Sequence, residues 1–132
     1  MALSEDVNRI AAAAAAHAAP DETVAAVLAV ETAAGERVYL SAFADAAGNQ
    51  EWLALTDDGA PVTSKERVRE AASIAALVEV AEETVEQVVD EPRVASLPYL
   101  DALGGDSSLA GALPAVDELT RDVETHYKLE LS

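Results

Sequence analysis

Cysteine is missing from this chain of 132 residues, so disulfide cross-links, thiolate nucleophiles and thiolate metal ligands are all excluded. Positive charge is scarce. Eight Lys and Arg stand against 25 Asp and Glu, for a formal net charge of −17. Such a chain lacks the basic patch through which phosphate-backbone binders release counterions, so nucleic acid is not expected as a partner. Aromatic residues make up only 4% of the sequence, and Tyr39, Phe43 and Trp52 are the majority of them. No apolar run approaches the roughly 18 residues that a membrane span needs. No segment has the basic start, apolar middle and small-residue cleavage site of a signal peptide. The expectation is a cytoplasmic protein with no membrane partner.

What is present is a chain that is 51% hydrophobic, enough for one core, and residues 1–132 read as a single domain. The negative charge itself has three readings. It suits a surface adapted to high salt or to solubility, attraction of a basic protein partner, or imitation of nucleic acid by rows of carboxylates.

Periodicity divides the chain. Ser4 is a good N-cap, followed by Glu5 and Asp6 where the helix dipole favours negative charge. Val7, Ile10, Ala11, Ala14 and Ala18 recur at helical spacing until Pro20 forces a stop, so a helix is expected from Ser4 to about Ala18. From Thr23 to Val62 the period shortens. "TVAAVLAVET", "RVYLSAFAD" and "EWLALTD" are separated by Gly-containing connections of hairpin length, which predicts a three-stranded antiparallel meander. Residues 23–32 stay ambiguous, because Asp21 can equally cap a helix bearing Val24, Val27 and Leu28. Pairing Thr32 with Arg37 and Asp45 with Gln50 sets Tyr39, Phe43 and Trp52 on one face of the sheet. The opposite face carries Leu40, Ala42, Leu53 and Leu55. A sheet apolar on both sides needs cover on both.

Thr63 or Ser64 should cap a long amphipathic helix reaching to about Asp90. Ile74, Leu77, Val78, Ala81 and Val85 fall on one arc of it, and Glu79, Glu82, Glu83, Glu86 and Asp90 on the other. The C-terminal section is read as helical: short pieces around "LPYLDAL" and "SSLAGAL", then a helix from near Pro114 with Val116, Leu119, Val123 and Tyr127 as its seam and Glu124 pairing with Lys128.

Chemistry is sparse. Gly105-Asp106-Ser107 resembles the nucleophile block of the lipase and esterase family named for Gly-Asp-Ser-Leu, but the Leu and the Asp-x-x-His spacing are missing, and a helix stop followed by a helix start accounts for the residues. Glu118, Asp122 and His126 stack at four-residue intervals on one helix face, without the further ligands that a metal shell requires. No Walker sequence or Gly-rich dinucleotide loop occurs. No metal or cofactor is expected.

The reading is thus an α+β domain with a non-enzymatic, protein-binding role. It is expected to be homodimeric and to engage a basic or amphipathic protein segment. Tyr39, Phe43 and Trp52 form its interaction face, Glu79, Glu82, Glu83, Glu86 and Asp90 its acidic face, and Arg37 a candidate ligand contact. Two alternatives stand beside it: a small-molecule-binding domain or small enzyme using the aromatic face, and an inhibitor that mimics nucleic acid.

Overall fold

The computed structural model describes residues 3–83, 94–96 and 113–132. Helix α1 spans Leu3–Ala15. It then tightens through i→i+3 bonds from Ala16, His17 and Ala18 back to Ala13, Ala14 and Ala15, the way a helix satisfies its last carbonyls before a proline. Three strands follow, β1 Glu22–Glu31, β2 Arg37–Asp45 and β3 Gln50–Thr56, antiparallel and in sequence order. The ambiguous stretch is therefore strand. Helix α2 spans Lys65–Glu83, and the Ser64 hydroxyl accepts the Arg67 N–H at 3.4 Å as its cap. A two-residue strand, β4 Val94–Ala95, lies parallel to β1 and gives the order β3-β2-β1-β4. Helix α3 spans Leu113–Thr125. The fold is α+β, as the sequence implied. The expected continuation of the long helix over 84–90 and the short helical pieces expected within 97–112, with Gly105-Asp106-Ser107, fall outside the described residues.

One device builds all three sheet turns. In Thr32-Ala-Ala-Gly35-Glu36, Asp45-Ala-Ala-Gly48-Asn49 and Thr56-Asp-Asp-Gly59-Ala60, the Gly N–H donates to the first residue's carbonyl, and the first residue's N–H donates to the fifth's. Each Gly sits at φ between 82° and 86°, a conformation that only Gly adopts without penalty. The first side chain completes the closure: Thr32 Oγ1, Asp45 Oδ1 and Thr56 Oγ1 accept the N–H of Glu36, Asn49 and Ala60 at 3.2, 2.8 and 3.2 Å. Asn49 is the main reason the Asp45 carboxyl titrates below its usual range.

These loops hold three residues, one fewer than the expected pairings of Thr32 with Arg37 and Asp45 with Gln50. The register is therefore corrected by one on both sides of β2. Glu31 faces Arg37, Ala29 faces Tyr39, Ala42 faces Trp52 and Phe43 faces Glu51. A slip of one exchanges the faces of a strand. Tyr39 and Phe43 consequently lie on one side with Leu53, Leu55 and Ala29, and Trp52 lies on the other with Leu40, Ala42 and Ala54.

Both faces are apolar, as the two-sided pattern required, and the chain covers both itself. Ile10 and Ala14 of α1 close the Tyr39–Phe43 side. Val68, Ala71, Ala72, Ile74, Ala75 and Val78 of α2, with Val123 of α3, close the Trp52 side. The α2–α3 contact is pinned by the Ser73 and Thr120 hydroxyls at 3.3 Å and by Arg69 with Glu124 at 2.7 Å. At the turn of the first hairpin, Glu70 accepts the Ala33 N–H at 2.8 Å and Arg67 pairs with Glu36.

The third turn rests on α1. A Cβ at Gly59 would lie 3.3 Å from the Ala13 Cβ, whereas one at Gly48 meets nothing within 4 Å. Gly48→Ala is expected to cost about 1–2 kcal/mol, the left-handed penalty alone. Gly59→Ala should cost more, because the added methyl also crowds Ala13 of α1; paired urea titrations giving equal losses would contradict this packing.

Candidate functional site

The three residues expected to form an interaction face do not form one. Tyr39 and Phe43 are fully buried and Trp52 is 7% exposed, each under the chain's own helices and on opposite sides of the sheet. Burial of a side chain like Phe43 is worth about 1.5–3 kcal/mol, and here the core already takes it. Of the acidic face, Glu79, Glu82 and Glu83 belong to α2, while Glu86 and Asp90 fall outside the described residues. Arg37 opens β2 and is half-buried. By strand alternation it shares a face with Tyr39. Its Nε is buried without a hydrogen-bond partner, and it makes no ion pair with Glu31 opposite. Nearby, Arg9 of α1 and the Tyr39 hydroxyl both donate to Asp57, at 3.3 and 3.2 Å to its Oδ1.

The polar cluster that sequence reasoning missed lies along the β3 edge of the sheet. After α3 the chain runs alongside β3, where the Trp52 N–H donates to the His126 carbonyl at 3.0 Å and the Lys128 N–H donates to the Trp52 carbonyl at 2.9 Å. The Trp52 indole N–H donates to Asp122 at 3.3 Å, and His126 Nε2 lies 3.6 Å from the same carboxylate. The Tyr127 hydroxyl accepts the Ala54 N–H at 2.9 Å and donates to the Val62 carbonyl. Burial pushes this phenol up to about 12. Lys128 crosses to the α1 side, where it pairs with Glu22, lies 3.4 Å from Glu51, and sits 4.5 Å from the centre of the Phe43 ring. The Ala19 N–H, at 2.9 Å, and then Lys128 hold the Glu22 carboxyl down at about 2.

The expected Glu124–Lys128 pair is thus replaced on both sides, by Arg69 and by Glu22. A signal for the strap existed: His-Tyr-Lys-Leu-Glu-Leu at 126–131 alternates with period two, which is the pattern of an extended segment and not of a helix. This strap blunts the β3 rim, which would otherwise present unpaired backbone groups.

Neither His17 nor His126 has a serine or threonine hydroxyl as a hydrogen-bond partner among the described residues, and Ser41, fully buried, has a hydroxyl without any partner. Among the described residues, no three of His, Asp and Glu converge on a point that would hold a metal ion. Glu118 and Asp122 of α3, and His126 just beyond its end, do come together, and with Leu119, Arg121 and Thr125 they line a shallow groove of about 520 Å³. Within it the Asp122 carboxylate is held by the Trp52 indole N–H and by His126. No helix among the described residues is long and apolar enough to cross a membrane.

The least covered part of the sheet is β1. Thr23, Ala25, Ala26 and Leu28 are exposed, and Leu28, at 42%, is one of two large hydrophobic side chains that the described surface leaves open. No protein-family model matches the chain, and comparison with curated proteins and with solved structures returned no significant match.

Proposed function

We propose that the protein is a non-enzymatic, acidic interaction domain of the cytoplasm that engages a basic or amphipathic protein segment. The observation that carries this reading is the net charge of −17 on a molecule whose ordered polar clusters serve its own fold. A charge of that size attracts cationic partners over a Debye length and keeps copies of the molecule apart. Tyr39, Phe43 and Trp52 supply rigidity in this reading and not contact, which also removes the ground for a small-molecule pocket on an aromatic face.

A second reading, homodimerisation, is favoured by one observation, the exposed Leu28 on an incompletely covered strand. The two are separated by measurement in solution. Fluorescence anisotropy with a labelled Lys-rich amphipathic peptide is expected to show binding that weakens severalfold between about 50 and about 300 mM salt. No binding at the lower salt defeats the interaction reading. Light scattering that returns a monomer at every concentration and ionic strength defeats the dimer.

A further inference from the structure

β1 is ten residues long, yet on the side away from β2 only Ala29 and Val30 have a strand beside them among the described residues, the two-residue β4. The bond from the Thr32 N–H to the Glu36 carbonyl sets the alternation along β1. Val30, Leu28 and Ala26 therefore turn their backbone groups toward β2, and Val27 turns its N–H and C=O outward. Upstream, the register shift between Val24 and Ala26 bends the rim locally without covering it.

Thr23, Ala25 and Ala26 are small and exposed, and Leu28 offers an apolar contact on the α2 side. Charge narrows the choice of occupant. β1 contains no Lys or Arg, and it is bracketed by Asp21, exposed, and Glu31, half-exposed, neither of them in an ion pair among the described residues. A second copy would bring a further net charge of −17 to the same rim and be repelled. A cationic strand would be drawn in, and main-chain pairing at an open sheet edge is an established mode of peptide capture.

We propose that the β1 rim from Thr23 to Val27 is a docking edge for an extended, basic protein segment. The segment joins the sheet alongside β1, upstream of β4, with an apolar side chain against Leu28 and its cations toward Asp21 and Glu31. This rests on the interaction reading above and adds the place and the mode of binding. The test uses the full chain and a short synthetic peptide alternating Lys with Val, followed by amide hydrogen exchange. At saturating peptide the Val27 amide is expected to exchange at least about tenfold more slowly. Leu28→Lys, at a side chain already exposed, should weaken the peptide at least about tenfold by removing the apolar contact and adding a like charge. The exchange experiment on the unaltered protein stands alone if that variant folds poorly. Peptide binding that leaves residues 23–28 unprotected overturns the docking edge while the interaction reading survives. No binding at low salt overturns both. Protection of Val27 that grows with protein concentration in the absence of peptide assigns the rim to a second copy and also overturns the proposal.

Discussion

Lys128→Met is expected to destabilise the protein by about 1–3 kcal/mol at neutral pH, less than the about 3–5 kcal/mol for a fully buried ion pair, because the pair is part-buried and the Ala19 N–H still holds Glu22. The Lys128 side chain is 10% exposed and that of Glu22 only 4%, so the carboxylate left behind has little water to replace its cation. Glu51, at 42% side-chain exposure, contributes little, because a charge that open is screened. The loss should depend on pH with a definite sign. Glu22 titrates at about 2 in the fold against an ordinary 4.5, so its stabilising share is complete above about 4.5 and disappears as the pH falls toward about 2. Without Lys128 the Ala19 N–H still favours the ionised form, but less is gained, and the acid limb becomes shallower. Wild type and variant should therefore differ most at neutral pH and converge in acid. Urea titrations across that window measure it; a gap that stays constant from neutral pH to about 2 would show that the lysine acts through packing alone.

Tyr127→Phe should cost about 2–4 kcal/mol, although it keeps the ring and opens no cavity. The variant strands the Ala54 N–H and removes the donor to Val62, and a buried group left unsatisfied forfeits about 1–3 kcal/mol. The two losses occur at one atom, so they arrive together. The phenol also predicts an alkaline limb. Its folded value of about 12 lies above the ordinary 10.0, so its contribution is complete below about 10 and is lost as the pH rises toward about 12. Wild type should lose stability over that interval, and the Phe variant should lack the Tyr127 part of the loss. Amide exchange at Ala54 and Lys128 supplies a local readout. If both amides keep their protection in the variant, the hydroxyl is not what fastens the C-terminal strap.

Much of the architecture was legible because it follows local rules. Pro20 and the run of Ala before it mark the end of α1, Ser64 marks the start of α2, and the shortened period from Thr23 marks strands. The register was legible too, in Thr-x-x-Gly and Asp-x-x-Gly written three times, but only if Gly is assigned the last position of a three-residue loop. Counting one residue more merged Trp52 with Tyr39 and Phe43 and created an aromatic face that the molecule does not have. The pairings of Lys128 were beyond reach for a different reason. Glu22 lies 106 positions away, and an acid four residues back always looks like the better partner until the tertiary fold is known. The docking edge at β1 was equally hidden, since a strand's pattern of apolar residues does not reveal which of its two rims has a neighbour.

The three tight turns also set a timetable. Their loops close over three residues, a small entropic step for the chain, whereas the Tyr127 hydroxyl meets Ala54 across 73 positions, a closure that is slow until other contacts have shortened the path. During synthesis the meander is therefore expected to assemble while residues 126–132 are still to come. In that interval β3 exposes the rim that Trp52 later shares with the strap, and a nascent chain at this stage is open to pairing with its neighbours on the same polysome.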